Sequence, residues 1–122
     1  MSKTSVLIIE DEILLQDVYK LVLSSQGYTI YTANNGQEGI HLLNLYMPKV
    51  VLLDIFMPVM DGKEFLRNVD TALYPDTNFI VYSNLTDDGV AQEMMNLGAD
   101  RVILKSTMTP QDLIGLIEEY VN

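Results

Sequence analysis

Cysteine is absent from this 122-residue chain, so no disulfide, zinc–thiolate cluster or thiol nucleophile is available to it. With only one histidine as well, carboxylates are left as the ligands for any metal. A chain without crosslinks suits the cytoplasm, and that is the compartment expected. Positive charge is scarce too. Seven basic residues stand against 17 acidic ones, a formal charge of −10 that opposes attraction to phosphate backbones, so direct nucleic acid binding is not expected. No apolar run is long enough to cross a bilayer, and the run Val6 to Ile9 stops at three acids instead of continuing as a signal peptide core. Membrane insertion is therefore not expected. Linkers, repeats and low-complexity tracts are missing as well. The length suits one domain, 1–122, large enough to bury a core unaided and leaving no room for an output domain.

Five short β-type runs alternate with five segments of helical spacing, which is the signature of an α/β protein whose parallel sheet is covered on both faces. The runs are Val6 to Ile9, Tyr28 to Tyr31, Val50 to Leu53, Phe79 to Tyr82 and Val102 to Leu104. Most are continuously apolar, as strands buried on both sides are, and too short for buried helices. The helical segments are Glu12 to Ser25, Gly36 to Tyr46, Gly62 to Ala72, Asp87 to Asn96 and Pro110 to Val121. Asn35 with Glu38 and Asp61 with Glu64 read as capping boxes, and Thr109, Pro110 and Asp112 put a cap, a first-turn proline and an early acid in order. Gly27 and Gly98 stand where left-handed helix ends are placed.

In such a sheet, ligands bind beyond the carboxyl ends of the strands. The first strand ends in Glu10-Asp11-Glu12, the third in Asp54, the fourth in Ser83-Asn84 and the fifth in Lys105. If the first and third strands are neighbours, Glu10, Asp11 and Asp54 share one crevice, and carboxylates so placed repel unless a cation or proton intervenes. All-oxygen ligands fit Mg²⁺, with Mn²⁺ as a substitute. A phosphate can then approach, and a carboxylate oxygen can attack phosphorus to give an acyl phosphate, with Asp54 the candidate nucleophile. Taken singly, each residue has a plainer reading. Asp11 or Glu12 can favour a helix N-terminus, Asp61 is a cap, Ser83 a strand-end hydroxyl, and Lys105 a surface lysine. The joint placement is what carries weight.

Taken together, Val6-Leu7-Ile8-Ile9-Glu10-Asp11-Glu12, Val51-Leu52-Leu53-Asp54-Ile55-Phe56-Met57-Pro58-Val59-Met60-Asp61-Gly62, Ser83 and Lys105 resemble the receiver domain of bacterial two-component response regulators over the whole chain. The resemblance implies a flavodoxin-like, doubly wound five-stranded sheet of order 2-1-3-4-5. It also implies roles: Asp54 as phosphoacceptor, Asp11 as direct Mg²⁺ ligand, Glu10 as an acid acting through water, and the Phe56 carbonyl as the third protein ligand. Ser83 matches the hydroxyl that contacts the phosphoryl group, and Lys105 the cation that pairs with it. The implied partners are a sensor histidine kinase or histidine phosphotransfer protein and a downstream protein.

Three departures stand out. Val102 replaces the aromatic residue that receivers commonly use as a readout. Ser106 replaces a proline typically joined by a cis bond, which costs ~3 to 4 kcal/mol without proline and bears on how Lys105 is placed. Phe56 and Asn84 are bulkier or more polar than the small residues usual around the pocket. In the first helix, if Leu15, Val18 and Val22 face the sheet, Leu14 and Leu21 form a side stripe that either lines the core edge or docks a partner helix. Met94, Met95 and Met108 are either core filler or part of an output face. The main alternative to a phosphorylated switch is a pseudo-receiver, an interaction module regulated without phosphorylation. Aspartyl phosphatases want a second Asp where Phe56 stands, and flavodoxins want a phosphate loop where three acids stand.

Overall fold

The computed structural model describes residues 4–84 and 88–121. Five strands, β1 (Ser5–Ile9), β2 (Thr29–Ala33), β3 (Val50–Asp54), β4 (Asn78–Ser83) and β5 (Arg101–Leu104), form one parallel sheet of order β2-β1-β3-β4-β5. This is the doubly wound, flavodoxin-like arrangement. Between them run α1 (Ile13–Ser24), α2 (Gly36–Tyr46), α3 (Gly62–Asn68), α4 (Asp88–Asn96) and α5 (Pro110–Val121). The Asp87 start expected for the fourth helix lies outside the described residues.

Two cores follow from the period of two along each strand. Leu7, Ile9, Val51, Leu53, Phe79 and Val81 pack with Leu43 of α2, Phe65 and Leu66 of α3 and Met94 of α4. Val6, Ile8, Val50, Leu52, Ile80 and Tyr82 pack with Tyr19 and Leu23 of α1 and Leu113, Leu116 and Ile117 of α5. The continuously apolar runs are thus strands with helices on both faces, as parallel sheets require.

Local signals set the helix starts. The Asp61 side chain accepts the Glu64 N–H at 2.9 Å while Glu64 accepts the Asp61 N–H, a complete capping box. Thr109 and Asp112 exchange the same pair of bonds at 3.0 and 3.1 Å ahead of α5. At Asn35 the side chain accepts the Glu38 N–H at 2.9 Å. Gly27 and Gly98 have φ of 90° and 114°, the left-handed conformation expected of them.

Two expectations need correction. The third helix stops at Asn68, well short of Ala72, because Val69 turns to extended backbone and Asp70 caps a separate 3-10 turn, Thr71–Leu73, through the Ala72 N–H. In α1 the inward face is Tyr19 and Leu23, flanked by Leu15 and Val22, whereas Val18 is 48% exposed. Val18 therefore joins Leu14 and Leu21 on an outward apolar seam at i, i+4 and i+7.

The connection from β3 to α3 holds a turn that departs from its sequence logic. The Met60 N–H donates to the Pro58 carbonyl at 2.7 Å across Val59, whose φ is 69°. This is a γ-turn of the strained hand, in which a β-branched residue is an outlier. Its far side is pinned by the Gly36 N–H, which donates to the Met60 carbonyl at 2.9 Å. Left-handed strain in a residue other than glycine costs ~1–3 kcal/mol, against ~0.5–1 kcal/mol for the chain entropy that glycine adds. Val59→Gly is therefore expected to raise unfolding stability by roughly 1 kcal/mol in urea titrations. A loss of stability would show that the turn is relaxed with valine.

Candidate functional site

Register brings the acids together. Ile9 of β1 pairs with Leu53 of β3, so the residues that follow, Glu10 and Asp54, stand side by side at the carboxyl edge. Both continue the alternation of Val6, Ile8, Val50 and Leu52 toward the α1/α5 side. One oxygen each from Glu10, Asp11 and Asp54 lies within 4.8 Å of the others. Helix α3 seats directly on this edge, since a Cβ on Gly62 would lie 2.6 Å from the Asp54 carbonyl oxygen. Glycine is required there by close approach.

Lys105 follows β5 and opens a 3-10 turn, Lys105–Thr107. Its Nζ lies 2.8 Å from Glu10 Oε1 and 3.4 Å from Asp54 Oδ2. Among the described residues every peptide bond is trans, so Lys105 reaches the acids with Ser106 in the place of proline and no cis bond.

Burial and charge compete at each group. Glu10 is fully buried, and its carboxylate accepts from Lys105, from the Tyr82 hydroxyl at 3.2 Å and from the Glu12 N–H at 3.2 Å. Burial pushes the Asp54 carboxyl above its ordinary 3.8, with contacts to Glu10 and Lys105 pulling the other way. The Asp11 carboxyl is also raised, first by burial and then by contact with Glu10. For Lys105, burial works against the ammonium, but the Glu10 and Asp54 carboxylates outweigh it and hold the pKa above its usual value. One ammonium thus faces three carboxylates. The donor set consists of oxygens alone, which fits a hard divalent cation.

Ser83 is buried at the end of β4, one residue beyond the register partner of Asp54. Phe56 turns its ring outward, 61% exposed, so its bulk does not fill the pocket, and Asn84 is exposed. Val102 packs against the α2/α3/α4 core. Met94 is fully buried there, which makes it core filler, while Met95 is exposed. Sequence reasoning missed two residues. Tyr82 looks like a strand aromatic, yet its hydroxyl reaches Glu10, and its parity with Asp54 was the available signal. Gln16, one turn into α1, donates from Nε2 to the carbonyls of Glu10 (3.0 Å) and Ala33 (3.3 Å) and to Asn34 Oδ1 (3.1 Å), tying together the ends of β1 and β2. Beside the site, Leu14 is 83% and Leu21 74% exposed.

A family model described as the response regulator receiver domain matches residues 6–118. The chain is 33% identical over 105 residues to the transcriptional regulatory protein TrcR of Mycobacterium tuberculosis, covering 85% of this chain and 40% of that protein. It spans 40 to 49% of the length of such curated relatives. Among solved structures, it is similar to a CheY-like receiver domain protein from Methanospirillum hungatei at TM-score 0.88 and 29% identity, covering 97% of this chain and 93% of that one. It is also similar to the chemotaxis protein CheY4 of Vibrio cholerae at TM-score 0.89 and 26% identity, covering 98% and 100%.

Because the folded-state pKa values of Asp11 and Asp54 are raised, these groups favour folding while protonated and oppose it once ionised. In metal-free protein their contribution is lost as pH climbs from the unfolded value of 3.8 through the raised folded values. Asp11→Asn should therefore be more stable than the parent at pH 7, with a smaller margin near pH 4. If Mg²⁺ binds the three acids, the substitution should also reduce the stabilisation that millimolar Mg²⁺ confers. Thermal melts at both pH values, with EDTA or Mg²⁺, check this, and a margin that does not grow with pH would refute it.

Proposed function

Because this chain belongs to the response regulator receiver family, we propose that Asp54 accepts a phosphoryl group from the phosphohistidine of a sensor histidine kinase or histidine phosphotransfer protein. The modified pocket then alters a surface read by a downstream protein. The acid cluster is of the phosphoacceptor kind and not the active site of an enzyme that turns over a separate substrate. The observation that carries the reading is Lys105, whose Nζ bridges Glu10 and Asp54 at the strand edge.

An Asp54 oxygen attacks phosphorus in line as the bond to the donor imidazole breaks, the imidazole leaving with the bonding pair. Lys105 pairs with a phosphoryl oxygen and the Ser83 hydroxyl donates to another. Mg²⁺, or Mn²⁺ in its place, would be held by Glu10, Asp11, Asp54 and the Phe56 carbonyl, and would neutralise charge on the transferring group. Supporting a helical donor is the outward seam of Leu14, Val18 and Leu21 on α1, the kind of apolar face that receives a partner helix.

With a small phosphodonor and Mg²⁺, intact mass should show one added phosphoryl group that Asp54→Asn abolishes. No adduct, with a silent beryllofluoride titration, would favour the pseudo-receiver. Replacing Leu14 and Leu21 by Ser should slow transfer from a cognate protein donor about tenfold or more, a loss typical of interface anchors, while sparing labelling by acetyl phosphate. Equal slowing of both would remove the seam from the account.

A further inference from the structure

The alternation that aims Glu10 and Asp54 toward one side of the sheet aims Tyr82 there too, and the structure gives Tyr82 a place in the pocket. Its side chain is fully buried in the α1/α5 core, with the Tyr19 ring edge-on at 5.8 Å and 73°. The hydroxyl at the tip meets Glu10 Oε1 at 3.2 Å, the same oxygen that Lys105 reaches at 2.8 Å. Lys105 Nζ stands 5.3 Å from the Tyr82 ring centroid, within reach of its π face.

The two donors on that oxygen differ in kind. Lys105 is a long, flexible side chain already shared with Asp54 at 3.4 Å. Tyr82 has two side-chain torsions, both fixed by packing, and its hydroxyl lies on the ring axis, so ring flips leave it in place. The phenol O–H donates to that oxygen from a fixed place in the core. If Lys105 turned to a group on Asp54, Glu10 Oε1 would keep only Tyr82, and a buried carboxylate oxygen stripped of donors is costly.

We propose that Tyr82 is a positioning residue of the acidic pocket, anchoring Glu10 from the core side so that Lys105 is released to the group that Asp54 receives. The release rests on the reading of Asp54 as phosphoacceptor, whereas the anchoring of Glu10 does not. The metal ligands depend on the anchor, because the orientation of Glu10 is set by the Tyr82 hydroxyl and the Lys105 ammonium on one oxygen and the Glu12 N–H on the other, and of these only Tyr82 is held by the core.

Tyr82→Phe keeps the ring and removes the anchor. Titrated with Mg²⁺ in the unphosphorylated state, it should bind about tenfold more weakly than the parent, the scale seen when supports of ligating residues are removed. In a Glu10→Gln background the same substitution should change Mg²⁺ affinity by less than about twofold, because its effect runs through Glu10. Parent-like affinity in Tyr82→Phe, or an undiminished loss in the Glu10→Gln background, would overturn the proposal. A second measurement does not need the Tyr82 variant to fold. In Glu10→Gln the ring-carbon signal of Tyr82 should shift, and an unmoved signal would also overturn it. If Asp54 took no phosphoryl group, the mass measurement would fail while these titrations still judged Tyr82.

Discussion

Three carboxylates and a single ammonium, held at the carboxyl edge of a sheet buried on both faces, are the constraint around which this molecule is organised. Left to themselves, such acids would separate or take up protons. They stay because Glu10 and Asp54 directly continue the apolar runs of β1 and β3, with Asp11 one residue further on, and the register of those strands is fixed by two cores. The fold thus tolerates a locally unfavourable charge arrangement, and the raised carboxyl pKa values of Asp11 and Asp54 are its mark. Sites of this kind trade stability for reactivity.

Helix α1 faces this constraint on one side and solvent on the other. Inward, Tyr19 leans on Tyr82 and Gln16 holds the ends of β1 and β2. Outward, Leu14, Val18 and Leu21 form the apolar seam. A protein that settles on the seam therefore grips the same element that supports the pocket floor.

Much of this was legible in the residues alone. Apolar run length and continuity gave the five strands, the caps gave most helix starts, and strand-end position gave Glu10, Asp11, Asp54, Ser83 and Lys105. The misses share a physical origin. Val69 and Leu73 continue a helical spacing past Asn68, but Asp70 offers its side chain to the Ala72 N–H, and that local bond prevails over spacing. Val18 and Tyr19 are adjacent on a helix apolar nearly all round, so periodicity alone did not say which turned inward. Tyr82 was hidden because a strand aromatic is usually packing, and only its reach to Glu10 gives its hydroxyl a purpose. The effect of Ser106 on Lys105 depended on backbone geometry, which residue identity does not supply.

The Lys105 contacts also carry a meaning in time. Tyr82 meets Glu10 across 72 residues of chain, and Lys105 meets Asp54 across 51. No segment shorter than the span from Glu10 to Lys105 contains the pocket, and its cation arrives only when β5, an edge strand, closes on β4. Parallel pairing over such separations is slow, and a ribosome makes roughly 5–20 residues each second. During synthesis the acids are thus made before their counter-charge, and the docking of β5 is the event that makes the site electrostatically complete.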